Sequence, residues 1–338
     1  MTRKIRFGII GCGVISPLHA EAIKACPNTE LVAVSDLSLE TARKFANAFN
    51  ISTYVSDYKD LLAMKEIDVV SICTPSGTHG QIAIDAALAK KSILCEKPLE
   101  IKADRMTQMI QICREQGVKL GCVYQRRATG VVKRVKEAIS NGEIGKLILC
   151  DAYLKYYRDQ AYYDSAGWRG TWEMDGGGAL MNQGVHGIDL FVWLTGGVSK
   201  VFARAAALTR NIEVEDTAVS VVECKNGAFG VIEGTTSVFP ERSTRIELYG
   251  EKGTIIFDDS GIQEWVTKDK GDITKEIEIE LKNIEGVRSI GHYHFIDDMA
   301  KAIIEDREPM VTGEEARKAV DLILSIYESS KQQKEVYL

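Results

Sequence analysis

Short apolar runs alternate with helical periods over the first third of the chain. Ile5–Ile10, Leu31–Ser35, Val69–Cys73, Ile93–Glu96 and Leu120–Tyr124 are rich in β-branched and apolar residues, and each reads as a strand. Between them, Pro17–Ala25, Leu39–Phe49 and the stretches near 79–88 and 103–115 carry helical spacing, with Ser16 ahead of Pro17 as a helix start. Strands apolar on both faces and separated by helices predict a doubly wound parallel sheet. The rhythm changes after Tyr124. A helix near 130–140 leads to a long strand at Lys146–Tyr157, a glycine-rich stretch and an apolar helix near 183–195. Strands are expected at 199–207, 215–224, 227–238, 242–250, 252–258 and 274–281, with Asn226-Gly227 as a hairpin signal, before closing helices near 292–305 and 313–331. The pattern is that of an α/β chain. A parallel-sheet domain over 1–124 precedes an α+β domain over 125–338 with a large, mostly antiparallel open sheet.

Length supports that division. The 338 residues exceed the roughly 250–300 at which one hydrophobic core stops growing. Apolar residues at 45% and charged residues at 27% are those of a soluble globular chain. With 48 acidic against 42 basic residues the net charge is −6, which argues against nucleic-acid or anionic-membrane partners. No apolar stretch approaches the roughly 18–20 residues of a membrane span. Lys4 and Arg6 before Ile9-Ile10-Gly11-Cys12 imitate a lipoprotein leader, but the interval from Arg6 to Cys12 is shorter than the roughly 7–15 residues a secretory core needs. The eight cysteines form no C-x-x-C and no zinc-type spacing. Cys73, Cys95, Cys122 and Cys150 lie in or at the ends of apolar runs, as reduced thiols of a cytoplasmic protein would.

Candidate chemistry begins at the first strand. Gly11-Cys12-Gly13-Val14-Ile15-Ser16 is a G-x-G-x-x-S turn between a strand and a helix, and Asp36 ends the next strand 20 residues after Ser16. That is the context of a Rossmann dinucleotide site. Gly11 makes the tight turn, Gly13 admits a pyrophosphate to the helix N-terminus, and Ser16 is small enough for helix–strand packing. Val14 and Ile15 belong to the same cofactor-facing turn. The Asp36 carboxylate suits a ribose 2′-hydroxyl and repels a 2′-phosphate, so NAD is expected over NADP.

Further along, Thr74-Pro75-Ser76 with His79 follows one strand, and Cys95-Glu96-Lys97-Pro98 ends the next at the sheet's carboxyl edge. With the glycine turn and the later Gly176–Asp189 run, these motifs resemble the sugar and cyclitol oxidoreductase family typified by glucose–fructose oxidoreductase and inositol dehydrogenase, over essentially the whole chain. The resemblance implies an NAD-dependent dehydrogenase acting on a ring secondary alcohol of a sugar, nucleotide sugar or cyclitol. It assigns Thr74, Pro75, His79, Glu96 and Lys97 to the cofactor side, and Lys97 and His186 to catalysis. Asn182 stands where many relatives carry aspartate, and its i, i+4 spacing puts it on the helical face of His186. The chemistry suits these types: an ammonium stabilises a developing alkoxide, and a neutral imidazole accepts the hydroxyl proton. Either Lys97 or His186 can be the base, Lys97 if burial lowers its pKa. Without the resemblance, a histidine on an apolar helix reads as a core residue.

An aromatic and basic cluster lies upstream: Tyr156, Tyr157, Tyr162, Tyr163, Trp168, Arg169 and Trp172. Aromatic faces suit sugar rings or bases, and arginines suit carboxylate or diphosphate. Tyr163, Trp168 and Arg169, with Gln125 and Arg126 after the last strand of the first domain, are therefore expected to bind substrate; Arg127 is expected in the same basic cleft. The run from Tyr163 through Arg169-Gly170-Thr171-Trp172 to Gly176–Gln183 is similar to the branch containing UDP-N-acetylglucosaminuronate 3-dehydrogenases. His292 and His294, at i, i+2, face opposite sides of a helix and read as a helix start with no metal. A one-sided sheet exposes an apolar face that pairs subunits, and the family implies homodimers or homotetramers. Two alternatives stand beside the dehydrogenase: an NAD-dependent glycosidase of the same superfamily, and a non-catalytic sensor of dinucleotide or sugar.

Overall fold

The computed structural model describes residues 4–284 and 291–338. The chain opens with β1 (Ile5–Ile10), α1 (Ser16–Ala25), β2 (Thr29–Ser35), α2 (Leu39–Ala48), β3 (Thr53–Val55), α3 (Tyr58–Leu62), β4 (Val69–Ile72), α4 (His79–Leu88), β5 (Ser92–Cys95), α5 (Ala103–Gln116) and β6 (Leu120–Cys122). It continues with α6 (Gly130–Ser140), β7 (Leu147–Lys155), α7 (Gln160–Asp164), a π-helical turn Ala179–Gly184, α8 (Val185–Thr195), β8 (Val198–Ala206), β9 (Thr217–Cys224), β10 (Phe229–Thr235) and β11 (Arg245–Gly250). The last elements are β12 (Gly253–Asp258), β13 (Gly261–Thr267), β14 (Gly271–Asp272), α9 (Thr274–Ile284), α10 (Gly291–Ile304), α11 (Gly313–Gln332) and β15 (Val336–Tyr337).

Two compact units result: residues 1–125 with 289–317, and residues 126–288 with 318–338. This differs from one division after Tyr124. Helix α10 packs against α1 in the first unit, where the Cys26 thiol reaches the Tyr293 carbonyl and His292 turns inward to Glu96.

The first unit holds a six-stranded sheet in the order β3-β2-β1-β4-β5-β6, all neighbours parallel. Every residue of β4 and β5 is buried, which is why both read as unbroken runs without alternation. The strand order reverses between β1 and β4, so their carboxyl ends open a crevice in which ligands of such sheets bind.

The second unit holds a nine-stranded sheet, β14-β13-β12-β11-β7-β10-β9-β8-β15, antiparallel except where β7 lies parallel to β10. Its strands alternate. On β9, Ala218, Ser220 and Val222 are buried while Val219 and Val221 are exposed. Helix α8, buried at every position but Trp193, covers the inner face at β7.

The strand expected at 274–281 is instead helix α9. Its Glu-Ile-Glu-Ile-Glu-Leu run fits a period of two, but Ile277 and Leu281, one helical turn apart, are buried while Ile279 is 61% exposed. Glutamate, lysine and leucine favour the helix, and the edge beyond β13, on which α9 packs, is taken by the short β14. All eight cysteines are buried and none is in a disulfide.

Candidate active site

In the first unit, β1 runs into the glycine turn. Gly11 has φ +93°, and a Cβ there would lie 2.8 Å from the Cys73 main chain, so only glycine lets β1 and β4 end side by side. At Gly13 a Cβ would meet nothing within 4 Å. No described residue requires that glycine, as expected of a position kept bare for an approaching ligand. Buried Ser16 donates to the Gly13 carbonyl at 2.7 Å, and α1 starts with no side-chain cap, leaving its positive end to an anion. The Asp36 carboxylate accepts the Cys12 N–H at 3.0 Å and the Ser38 N–H at 2.9 Å, which fixes it at the rim of the turn. Val14 and Leu37, on either strand-end turn, are 93% and 95% exposed, apolar surface that a planar base can cover. These residues fit NAD. When bound, it supplies a hydride acceptor that no side chain provides.

Lys97 is the one residue between Lys91 and Glu100 that is not buried. Two residues expected at the cofactor face inward instead. His79 is buried, with Nδ1 2.8 Å from the Pro98 carbonyl and Nε2 2.9 Å from the Thr74 carbonyl. It staples the Thr74-Pro75 turn to the Lys97-Pro98 turn and has no ring nitrogen left for a ligand. Glu96 is likewise buried, with His19 Nε2 at 2.8 Å and His292 Nε2 at 3.0 Å from Oε1, and its Oε2 accepts the Lys97 N–H at 3.2 Å. Burial would push the Glu96 carboxyl up, but the hydrogen bonds from His19 and His292 outweigh it and hold the group well below the usual carboxylate range. His292 does begin a helix, as its spacing predicts; its buried partners, 196 and 273 residues away, are not visible in local sequence. Thr74 Oγ1 accepts from Thr78 Oγ1 at 2.7 Å, which orders the turn after β4.

In the second unit, the glycine-rich run is built against two carboxylates that the sequence reading passed over. Glu215 accepts the Gly178 N–H at 2.9 Å, the Leu180 N–H at 2.8 Å and the Tyr327 hydroxyl at 2.9 Å. Burial pushes its carboxyl up to about 7 despite those three donors. A Cβ on Gly178 would lie 1.9 Å from the Glu215 carbonyl oxygen, so this approach also needs glycine. Asp175 accepts the Gly170 N–H at 2.9 Å and the Asn182 side-chain amide at 2.7 Å. The carboxylate absent at 182 thus reappears one hydrogen bond away. A π-helical turn carries Asn182 into α8, whose first turn carries buried His186.

The aromatic cluster divides. Tyr163 is buried with its hydroxyl 2.7 Å from Thr236 Oγ1, which makes it a core residue rather than a substrate contact. Half-buried Arg169 stacks between Tyr162 and Trp168, its guanidinium 4.3 and 4.6 Å from the two ring centres, and donates to the Tyr162 hydroxyl. Its Nε is buried with no hydrogen-bond partner among the described residues. The expected basic cleft is smaller than the arginine count suggests. Arg127 is buried in a bidentate pair with Asp189 at 2.6 and 2.8 Å, which holds α8. Arg126, expected at substrate, pairs with Asp259 at 2.6 Å. Gln125 opens the intervening 3₁₀ turn, and its Oε1 is buried without a hydrogen-bond partner among the described residues.

Known proteins match both halves. Residues 5–124 fit the model of an oxidoreductase family with an NAD-binding Rossmann fold, and residues 132–256 that of the GFO/IDH/MocA C-terminal domain. The structure superposes on the WlbA dehydrogenase from Bordetella pertussis, solved in complex with NADH and UDP-GlcNAcA, with a TM-score of 0.92 and 34% identity over 100% of this chain and 99% of that one. In sequence it is 33% identical to the uncharacterized oxidoreductase YrbE of Bacillus subtilis over 77% of this chain and 75% of that protein. It is 27% identical to the myo-inositol 2-dehydrogenase of Thermotoga maritima over 99% of this chain and 98% of that protein. With the glycine turn, the acid at the end of β2 and the lysine at the end of β5 all in place, this chain belongs to the GFO/IDH/MocA family of NAD-binding oxidoreductases.

Proposed function

We propose that the chain is a cytoplasmic NAD-dependent dehydrogenase that oxidises a ring secondary alcohol of a sugar, with a UDP-linked N-acetylglucosaminuronate (carbon 3) as the first substrate to test. The observation that carries the substrate class is the 34% identity, over the full chain, to a dehydrogenase solved with NADH and UDP-GlcNAcA. Arg169 supports it. A guanidinium clamped between two rings, with its buried Nε–H unspent, is prepared for a carboxylate or diphosphate and is more than a neutral cyclitol needs. In this reading Lys97 stabilises the developing alkoxide and His186 accepts the hydroxyl proton, with Asn182 orienting the sugar through its bond to Asp175. Trp168 offers a ring face to the sugar or base. A cyclitol such as myo-inositol is the second substrate to test, from the likeness to the Thermotoga enzyme. The subunits assemble as a homodimer or homotetramer.

The test is the absorbance of reduced nicotinamide on adding UDP-N-acetylglucosaminuronate, UDP-N-acetylglucosamine, glucuronate or myo-inositol to protein and NAD. Net NADH with the UDP-uronate, abolished in Lys97→Met while NADH affinity stays within a few-fold, is the expected result. Hydrolysis without net NADH would point to a glycosidase, and binding without turnover to a sensor.

A further inference from the structure

Three buried side chains from distant parts of the first unit meet beneath the Glu96-Lys97-Pro98 turn: His19 on α1, Glu96 at the end of β5 and His292 on α10. Both imidazoles direct Nε2 at a single oxygen, Glu96 Oε1, at 2.8 and 3.0 Å, and their rings meet edge-on with centres 4.9 Å apart. A carboxylate oxygen only accepts, so both nitrogens donate. The Ser71 hydroxyl, 2.6 Å from His19 Nδ1, then donates to that nitrogen and fixes the tautomer. Burial pushes His19 down toward the neutral form. The three ligand atoms lie within 4.8 Å of one another, close enough to suggest a metal. Tetrahedral zinc, with bonds of about 2.0 Å, would spread its ligands to about 3.3 Å. The observed spacings are those of donors on a shared acceptor.

Such a cluster is a poor device for stability alone, because burying a carboxylate costs several kcal/mol that an apolar contact would not. Its location gives it another use. The other Glu96 oxygen accepts the Lys97 N–H at 3.2 Å, and His19 rides on the helix whose N-terminus opens the glycine turn. We propose that His19 and His292 are positioning residues for Lys97: they clamp the Glu96 carboxylate, which holds the turn and so aims the Lys97 ammonium. The proposal rests on the dehydrogenase reading, in which Lys97 acts on the substrate.

The experiment compares His19→Phe and His292→Phe, which fill the space without a donor, with His19→Gln, which keeps an N–H near Nε2. With UDP-N-acetylglucosaminuronate or myo-inositol as substrate, the Phe variants should lose about tenfold to a hundredfold in kcat. KM and the NADH Kd should stay within threefold, and the Gln variant should recover most of the loss. Unchanged kcat in the Phe variants, no recovery by Gln, or NADH affinity falling in step with kcat would overturn the proposal, as would zinc bound one-to-one in the purified protein. If the Phe variants do not fold, ¹⁵N-histidine NMR of the wild type decides: both rings must carry a proton on Nε2 at neutral pH, and a ring without one refutes the clamp. If the wild type oxidises neither substrate, the dehydrogenase reading has failed. The clamp is then judged by the rate at which trinitrobenzenesulfonate modifies Lys97, which His19→Phe should change and His19→Gln should not.

Discussion

Asp36 and Glu215 are both carboxylates bonded to main-chain N–H groups, yet they face opposite tasks. Asp36 sits half-buried at the rim of the glycine turn with two N–H partners and lone pairs to spare for a ribose. Asp36→Ala removes a ribose acceptor and a charge that repels a 2′-phosphate. NAD affinity should fall about tenfold to a hundredfold, the worth of one or two charged hydrogen bonds, while NADP affinity falls much less or rises. A loosened turn alone would weaken both cofactors equally, so titration of the two separates the explanations. Glu215 is fully enclosed, and its carboxyl lies at about 7 against an ordinary 4.5. The folded chain therefore holds this proton where the unfolded chain has released it. Stability from this group is complete below pH 4.5 and is lost as pH rises through 7, by about 3 kcal/mol for a raised acid of this size. Glu215→Gln removes that slope but turns an amide N–H toward the Gly178 or Leu180 N–H. Its Tm should lie below the wild type and vary less between pH 5 and 8, as calorimetry would record.

At the scale of elements, the chain's glycines separate architecture from binding. Gly11→Ala forces a side chain into the left-handed region and against the Cys73 main chain, a cost of about 1–3 kcal/mol visible as a lowered Tm without any ligand. Gly13→Ala meets no neighbour, so the ligand-free Tm should hold while NAD affinity drops at least tenfold. Thermal melts with and without NAD distinguish the two. The same elements mark what the sequence could disclose. The parallel sheet was legible because β4 and β5 are buried on both faces and their runs have no competing period. Helix α9 was misread because Glu-Ile alternation satisfies a strand as well as a helix, and only the packing on β13 selects Ile277 and Leu281 over Ile279. Motif residues are legible where their spacing is local, as with Gly11, Gly13 and Asp36. The partners that turn Glu96 inward and tie Asn182 to Asp175 were not, since hydrogen bonds formed across loops and between helices leave no periodic trace.

For the whole molecule, the net charge of −6 says less than where unlike residues gather. On the outer face of the second unit's sheet, cross-strand registers align Phe202, Val221 and Val231 in one row, with Leu149 beside Phe229 in the next. Val221 and Phe229 are 56% and 59% exposed. The row flanking them on the other side carries Arg204, Val219 and Glu233, and the Leu149–Phe229 row runs into the Lys200–Glu223 ion pair at 2.9 Å, so the apolar stripe is bordered by charges. The proposed homo-oligomer would use such a stripe, which sheet faces related by a two-fold axis would bury against itself. Self-association through this face has a sharp consequence. Val221→Asp puts a carboxylate at the centre of the stripe, where each copy would bury an unpaired charge near its twin's, so the assembly should dissociate to monomers at micromolar concentration. Ile279→Asp, an equally exposed apolar position on α9, should leave the assembly intact. Sedimentation velocity on the two variants and the parent decides the matter, and a Val221→Asp protein that sediments like the parent removes this face from the assembly.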